Sequence, residues 1–136
     1  MTSRTLRILL VEDDGSIARV IAIAMRDLGL PYHLDQAFSA EEGIELWDQQ
    51  PYDLVLTDYN LRGTSGVHMI AELQARGAAV PTLLFTAYDD AKVRKEAKAV
   101  NVTRFVTKPF VIEEFVRVAR ELLPINASEM GARSPR

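Results

Sequence analysis

A chain of 136 residues suits a single domain, and its 48% hydrophobic and 26% charged residues give the balance of an ordinary globular protein. Because the chain has no cysteine, disulfides, zinc–thiolate centres and cysteine nucleophiles are excluded, which agrees with a cytoplasmic location. The net charge of −3 has the wrong sign for general nucleic-acid binding.

The N-terminal half of the chain alternates apolar runs with amphipathic stretches. The run at Ile8–Val11 is typical of a strand buried on both faces, and Glu12 breaks it too soon for a signal peptide or a membrane span. The next predicted elements are a helix from Ile17 to Leu28 stopped by Gly29, a strand at Tyr32–Ala37, a helix opened by Ser39 and Glu42 and ended by Pro51, and a strand at Leu54–Leu56 that leads into Thr57 and Asp58.

The C-terminal half continues the alternation, after a predicted loop at Asn60–Ser65. The pattern then predicts a helix that begins after Gly66, a strand at Pro81–Thr86, a charged helix at Asp89–Val100, a short strand at Arg104–Val106 and a last helix from Ile112 to Leu123. Pro124 ends that helix. The domain is therefore expected to span residues 1–124, and the polar residues 125–136 are expected to be a disordered tail.

Strands thus alternate with helices five times along the chain. This order predicts an α/β fold with a single, doubly wound, five-stranded parallel sheet and helices on both faces, because right-handed crossovers place the helices there. Ligands of such sheets bind beyond the carboxyl ends of the strands. Any functional site is therefore expected at that edge.

Residues that carry chemistry follow four of the five strands. They are Glu12, Asp13 and Asp14 after the first strand, Asp58 after the third, Thr86 after the fourth and Lys108 after the fifth. Crowded carboxylates repel one another, and a divalent cation relieves the repulsion. Hard oxygen ligands favour Mg²⁺. The cluster predicts a metal-assisted phosphoryl-transfer site with one carboxylate as the nucleophile.

Together these residues resemble the signature of the response-regulator receiver domain, a phosphorylation switch of two-component signalling. The resemblance covers Leu6 to Leu123 and rests on Glu12–Asp13 after the first strand, Asp58 after the third, Thr86–Ala87 after the fourth and Lys108–Pro109–Phe110 after the fifth. It implies a flavodoxin-like strand order of 2-1-3-4-5. It also implies that the chain is no enzyme, apart from catalysing its own phosphorylation and dephosphorylation.

The resemblance gives each matched residue a role. Asp58 corresponds to the phosphoryl acceptor. Mg²⁺ is expected to bind Asp13 directly, Glu12 partly through water, Asp58 itself and the backbone carbonyl of Asn60. The Thr86 hydroxyl is expected to turn toward the phosphoryl group, and the Lys108 amine to pair with one of its oxygens.

Supporting roles fall on neighbouring positions. Ala87 corresponds to the small neighbour of Thr86, Phe105 to an aromatic residue that changes rotamer together with Thr86, and Gly66 to the glycine that closes the loop after the acceptor. The Lys108–Pro109 bond is expected to be cis and to aim the lysine into the site. Tyr88 is expected to overhang the acceptor and to shield it from water.

Two positions depart from the family pattern. Arg62–Gly63 stands where the family often has proline, which is expected to alter the stiffness of the loop and not the chemistry. Asn101 stands where the family usually has glycine, and asparagine also tolerates left-handed backbone angles.

The implied phosphodonor is a histidine kinase or a histidine phosphotransfer protein. The output is expected to be a protein contact through the fourth helix, the fifth strand and the fifth helix, without direct DNA binding. An acidic partner is favoured over a symmetric dimer, because these two helices carry the basic residues Lys92, Arg94, Lys95, Lys98, Arg117 and Arg120.

The sequence leaves other functions open. A flavodoxin-like cofactor binder would need a phosphate cradle after the first strand, where three acids stand instead. A hydrolase with an aspartyl nucleophile would need a cap domain or a substrate pocket, and neither is evident. The intact site argues against a degenerate receiver that only makes protein contacts. The chain is either a stand-alone receiver or a module of a longer regulator or hybrid kinase.

Overall fold

Seven strands and five α-helices follow one another along residues 5–124, the part of the chain that the computed structural model describes. The predicted tail, residues 125–136, lies outside the described residues. The strands are β1 (Leu6–Val11), β2 (Tyr32–Ala37), β3 (Leu54–Asp58), β4 (Asn60–Leu61), β5 (Thr64–Ser65), β6 (Thr82–Thr86) and β7 (Arg104–Thr107). The helices are α1 (Gly15–Ala24), α2 (Ala40–Gln49), α3 (Gly66–Ala75), α4 (Ala91–Ala99) and α5 (Ile112–Leu122).

Five of the strands form one parallel sheet in the order β2-β1-β3-β6-β7. The predicted fourth and fifth strands are β6 and β7, so the flavodoxin-like order 2-1-3-4-5 is confirmed. Asp58 lies opposite Phe85 in the register of β3 and β6, and Thr86 lies opposite Thr107 in that of β6 and β7. The predicted site residues therefore leave the sheet at the same edge.

The sheet is buried on both faces. Successive strand residues point to opposite sides, so Ile8 and Leu10 join the core beneath α1 and α5, while Leu9 and Val11 join the core beneath α2 and α3. A smaller apolar cluster under α4 includes Leu84. Helices cover both faces, as the alternation predicted, and every residue of β3 and β6 is buried.

Helix ends follow local capping chemistry. The Asp14 side chain accepts hydrogen bonds from the first amides of α1, and the predicted Ser39–Glu42 box opens α2. The α-helical part of α1 ends at Ala24, and a 3-10 turn continues to Gly29, whose φ of +80° stops it. The fourth helix begins at Ala91, two residues later than predicted, because Asp90 is its N-cap.

The prediction of a plain loop at Asn60–Ser65 is wrong. Its two ends pair as the antiparallel strands β4 and β5, with Asn60 opposite Ser65. Arg62 and Gly63 make the turn between them, and Gly63 has a φ of +79° that suits glycine. Strands of two residues each are too short to show an alternation of apolar and polar residues, so the sequence pattern could not indicate them.

Candidate functional site

Three carboxylates meet at the carboxyl edge of the sheet. Glu12, Asp13 and Asp58 each offer an oxygen, and these oxygens all lie within 4.8 Å of one another. Glu12 and Asp58 are buried, whereas Asp13 is half-buried and its side chain has no hydrogen bond or ion pair within residues 5–124. The predicted acidic cluster therefore exists, with one carboxylate free to bind a ligand.

The Glu12 carboxyl group lies in an environment that disfavours its ionised form. Its side chain is 1% exposed, and burial raises its pKa to about 8, although the Asp14 amide that donates to Oε2 works against this shift. Glu12 Oε1 is buried without a hydrogen-bond partner among the described residues. A buried acceptor of this kind is costly unless a proton or a cation satisfies it.

Lys108 supplies the positive charge of the site. Its Nζ lies 2.9 Å from Asp58 Oδ2 and 3.5 Å from Glu12 Oε1, and it stands 5.5 Å from the centre of the Phe85 ring. Burial alone lowers the pKa of Lys108, but the hydrogen bond and charge of Asp58 outweigh it, and the pKa is raised. The lysine is therefore a cation at neutral pH that lies between the acidic side chains of Asp58 and Glu12.

The segment after Asp58 is held close to this side chain, the predicted phosphoryl acceptor. The Asn60 amide donates to Asp58 Oδ1 at 3.3 Å, and the Gly66 amide donates to the carbonyl of Tyr59 at 2.7 Å. A Cβ on Gly66 would lie 2.2 Å from the backbone oxygen of Asp58, so only glycine fits this close approach. The loop from Asp58 to α3 is thus fixed by backbone contacts.

Thr86 lies at the end of β6 and is fully buried. Its hydroxyl accepts a hydrogen bond from the Tyr88 amide at 3.0 Å, which folds the first residues after the strand into a tight turn. Ala87 and Tyr88 are exposed, and the Tyr88 side chain is 57% accessible. The turn leads directly into the residues that precede α4.

Phe105 lies half-buried on β7 in the cluster under α4. The guanidinium carbon of Arg94 stands 4.6 Å from the centre of the Phe105 ring, and Arg94 in turn pairs with Asp89. Arg94 therefore contacts the aromatic ring that is predicted to change rotamer together with Thr86. This contact between α4 and β7 was not visible in the sequence.

The Lys108–Pro109 peptide bond is cis, as the sequence predicted. Pro109 and Phe110 form one wall of an apolar groove of about 610 Å³, and Ile17 and Val20 of α1 form the opposite wall. Ala87 and Lys108 also line this groove, and Lys108 contacts Asp58 and Glu12. The groove therefore lies beside the predicted phosphoryl-transfer site.

The basic surface expected on α4 and α5 is smaller than predicted. Arg120 points to the other side of the domain, where it donates to the carbonyls of Asp27 and Leu28, so its inclusion was wrong. Arg117 pairs with Glu114 and Glu121. On α4, Lys92 pairs with Glu96 and Arg94 pairs with Asp89. The charged side chains of α4 that lack an ion pair within residues 5–124 are Lys95 and Lys98.

The donor set fits Mg²⁺. Three carboxylates converge, one has a buried oxygen without a hydrogen bond, and one is free of other partners in the described part of the chain. Hard oxygen donors and an open, half-buried position are what Mg²⁺ requires, because it keeps several waters. Asp14 does not join the cluster, since its side chain caps α1.

Sequence reasoning missed two residues next to this site. Phe85 places its ring beneath the Lys108 ammonium, and Tyr59, the residue after Asp58, reaches α4 through a hydrogen bond with Glu96. A polar aromatic residue directly after the acceptor was a possible signal for Tyr59. Phe85 gave no signal, because an apolar residue within a buried strand is ordinary.

Comparison with known proteins gives one consistent family. The model of the response regulator receiver domain matches residues 8–120. The transcriptional regulatory protein YkoG of Bacillus subtilis is 32% identical over 122 residues, which are 90% of this chain and 53% of YkoG. DltR of Streptococcus agalactiae, also a transcriptional regulatory protein, is 32% identical over 82% of this chain and 49% of DltR.

Solved structures agree on the fold. A CheY-like receiver domain from Methanospirillum hungatei covers 87% of this chain and 93% of its own, with a TM-score of 0.80 and 19% identity. The chemotaxis protein CheY4 of Vibrio cholerae covers 88% of this chain and 100% of its own, with a TM-score of 0.78 and 23% identity.

The chain spans about half the length of the curated relatives it matches. No helix within residues 5–124 is long and apolar enough to cross a membrane. The family match, the strand order and the relatives together establish that this chain belongs to the response regulator receiver domains of two-component systems.

Proposed function

We propose that this receiver domain is a phosphorylation switch in which Asp58 accepts the phosphoryl group with Mg²⁺ as the cofactor. The observation that carries the proposal is the convergence of three carboxylates within 4.8 Å, with Lys108 Nζ 2.9 Å from Asp58. A flavodoxin-like binder has less support, because acids occupy the place of its phosphate cradle.

In the transfer step, an Asp58 carboxylate oxygen forms a bond to phosphorus while the bond from phosphorus to the donor nitrogen breaks. The electron pair of that bond stays on the histidine of the donor. Glu12, Asp13, Asp58 and the Asn60 carbonyl would hold Mg²⁺, which would supply positive charge to offset the repulsion between the phosphoryl group and the carboxylates. Lys108 pairs with a phosphoryl oxygen, and the Thr86 hydroxyl gives up its bond to the Tyr88 amide to reach another.

The phosphodonor, a histidine kinase or a histidine phosphotransfer protein, is proposed to dock over the apolar groove between α1 and Pro109. The groove supports this placement because a protein surface seated there would bring its histidine close to Ala87 and Lys108. Val20, one of the residues that line this groove, is apolar and 51% accessible. The cytoplasmic location expected from the sequence stays a prediction.

The output is proposed to be a protein contact through α4, β7 and α5, without direct DNA binding by this domain. Thr86 and Phe105 both border this surface, so phosphorylation can shift it between two packed arrangements. Lys95 and Lys98 offer free positive charge to an acidic partner. Charge reversal at both lysines should weaken binding of that partner and leave phosphorylation intact, and a tight phosphorylation-induced symmetric dimer through this surface would overturn the assignment.

The acceptor is tested by intact mass after incubation with acetyl phosphate and Mg²⁺. The parent should gain one phosphoryl group, and Asp58→Asn should gain none. Asp14→Asn is a matched control, because it removes a neighbouring acid while asparagine still caps α1. Equal labelling of Asp58→Asn and the parent would refute the proposal.

A further inference from the structure

Tyr59, the residue directly after the proposed acceptor, reaches helix α4. Its hydroxyl donates to Glu96 Oε1 at 2.6 Å across 37 residues of sequence. This hydrogen bond raises the pKa of Tyr59 and lowers that of Glu96. The other carboxylate oxygen of Glu96 lies 3.5 Å from Lys92. The tyrosine ring packs on the apolar cluster under α4. A single side chain thus connects the acceptor segment to the helix of the proposed output surface.

The tyrosine end of this connection is fixed to the sheet. The Tyr59 amide donates to the carbonyl of Phe85 at 2.9 Å, and its own carbonyl accepts from the Gly66 amide at 2.7 Å. Gly66 packs so closely on Asp58 that even a methyl group has no space. Tyr59 therefore has little freedom to follow a movement of α4.

The glutamate end belongs to the element that the switch is proposed to move. Helix α4 follows the short segment Ala87–Asp90, and the Thr86 hydroxyl holds that segment through the Tyr88 amide. When Thr86 turns toward a phosphoryl group, this hydrogen bond is lost. A shift of α4 relative to the fixed Tyr59 backbone would then lengthen the bond between Tyr59 and Glu96, so we infer that this bond belongs to one of the two arrangements.

We propose that the Tyr59–Glu96 hydrogen bond is a latch that holds α4 in the unphosphorylated arrangement and thereby opposes phosphorylation of Asp58. The inference rests on the proposed function and deepens its regulation. The two arrangements are in equilibrium, so an interaction that stabilises one of them lowers the affinity for any ligand that binds the other arrangement. Tyr59 acts as a positioning residue. It is separate from the Thr86–Phe105 pair because it directly follows the proposed acceptor, Asp58, in the chain.

The test uses Tyr59→Phe and Glu96→Ala, with fluoroberyllate and Mg²⁺ as a stable substitute for the phosphoryl group. Loss of one hydrogen bond should raise the apparent affinity for fluoroberyllate by about 2- to 10-fold in each variant. The double variant should gain no more than either single variant, since both remove the same bond. Tyr52→Phe is the matched control, because it removes an equally short tyrosine–carboxylate bond of 2.6 Å to Asp35 on β2.

A second measurement needs neither metal nor ligand. Amide hydrogen exchange of α4 in the unphosphorylated protein should be faster in Tyr59→Phe than in the parent and unchanged in Tyr52→Phe. Lower thermal stability of Tyr59→Phe with unchanged fluoroberyllate affinity would show a merely structural bond and overturn the latch. Weaker affinity would overturn it as well, because the bond would then belong to the phosphorylated arrangement. A parent protein that binds no fluoroberyllate would instead refute the proposed function of Asp58.

Discussion

Lys108 Nζ lies 2.9 Å from Asp58 and 3.5 Å from Glu12, so one ammonium group contacts two buried acidic side chains, one at the end of β3 and the other directly after β1. A bound Mg²⁺ would compete with Lys108 for the same oxygens, because both cations are attracted by the same negative charge. The lysine therefore has two opposing effects, one on the metal-free protein and one on the affinity for the metal.

Lys108→Met should separate these effects. Without metal, the variant should lose about 1–3 kcal/mol of unfolding free energy, since a buried acceptor loses its charged donor. Its affinity for Mg²⁺ should rise, while phosphorylation by acetyl phosphate should slow. Calorimetric titration with Mg²⁺ and urea unfolding in EDTA measure the two quantities. Lys98→Met, an exposed lysine on α4, should leave both unchanged, and weaker Mg²⁺ binding by Lys108→Met would contradict the competition.

Asp13 should contribute most directly to metal binding, because its carboxylate is half-buried and has no other partner within residues 5–124. Asp13→Asn should lose Mg²⁺ affinity and phosphorylation together. The fold should persist, since no described contact depends on this side chain. Calorimetry measures the Mg²⁺ affinity, and far-ultraviolet circular dichroism shows whether the fold persists. A Mg²⁺ affinity equal to that of the parent would show that Asp13 is not a metal ligand.

The metal-free protein should lose stability as the pH rises. Burial raises the pKa of Glu12 from its ordinary 4.5 to about 8, so between these values the folded protein holds a proton that the unfolded chain releases. The stabilisation is present in full below pH 4.5 and disappears as the pH rises to about 8, with a total on the order of 5 kcal/mol.

Chemical unfolding in EDTA at about pH 5.5 and about pH 8 measures this loss. Glu12→Gln keeps the uncharged form at every pH and should flatten the dependence over the same range. A parent protein that is equally stable at both pH values would show that Glu12 is ionised throughout.

Gly66→Ala should destabilise the protein by roughly 2 kcal/mol or more, because overpacking against backbone cannot relax easily. The added Cβ would stand 2.2 Å from the Asp58 carbonyl oxygen and would push the acceptor out of place. Gly15→Ala is the control, since a Cβ there meets nothing within 4 Å. Urea unfolding compares the three proteins, and a Gly66→Ala variant as stable as the parent would mean that the segment after Asp58 adapts.

Tyr88 should set the lifetime of the phosphorylated form. Its amide holds the turn after Thr86, and its exposed ring stands two residues beyond that hydroxyl. Tyr88→Ala should dephosphorylate several-fold faster because water reaches the acyl phosphate more easily. Tyr88→Phe retains the ring and should match the parent. The decay of the phosphorylated mass over time gives the rates, and an unchanged rate in Tyr88→Ala would place the ring elsewhere.

Sequence patterns were enough to predict the fold and the edge of the sheet where the acidic residues meet, although Asp14 left the cluster only once its role as the cap of α1 was seen. Apolar runs such as Ile8–Val11 and helical spacing in α1 are local patterns, and five alternations permit few topologies. Parallel strands end at one edge, so Glu12, Asp58 and Lys108 had to approach one another once their strands were recognised. Asn101 also behaves as expected from its chemistry, with a φ of +57°.

The pairing of these residues became visible in the folded structure alone. Lys108 meets Asp58 across 50 residues, Tyr59 meets Glu96 across 37, and Arg120 meets the Leu28 carbonyl across 92. No local periodicity encodes such contacts, because they depend on how far each helix is shifted along the sheet and on which rotamers the packed neighbours allow. For the same reason, the charge of α5 could be read from the sequence, but the direction in which Arg120 points could not.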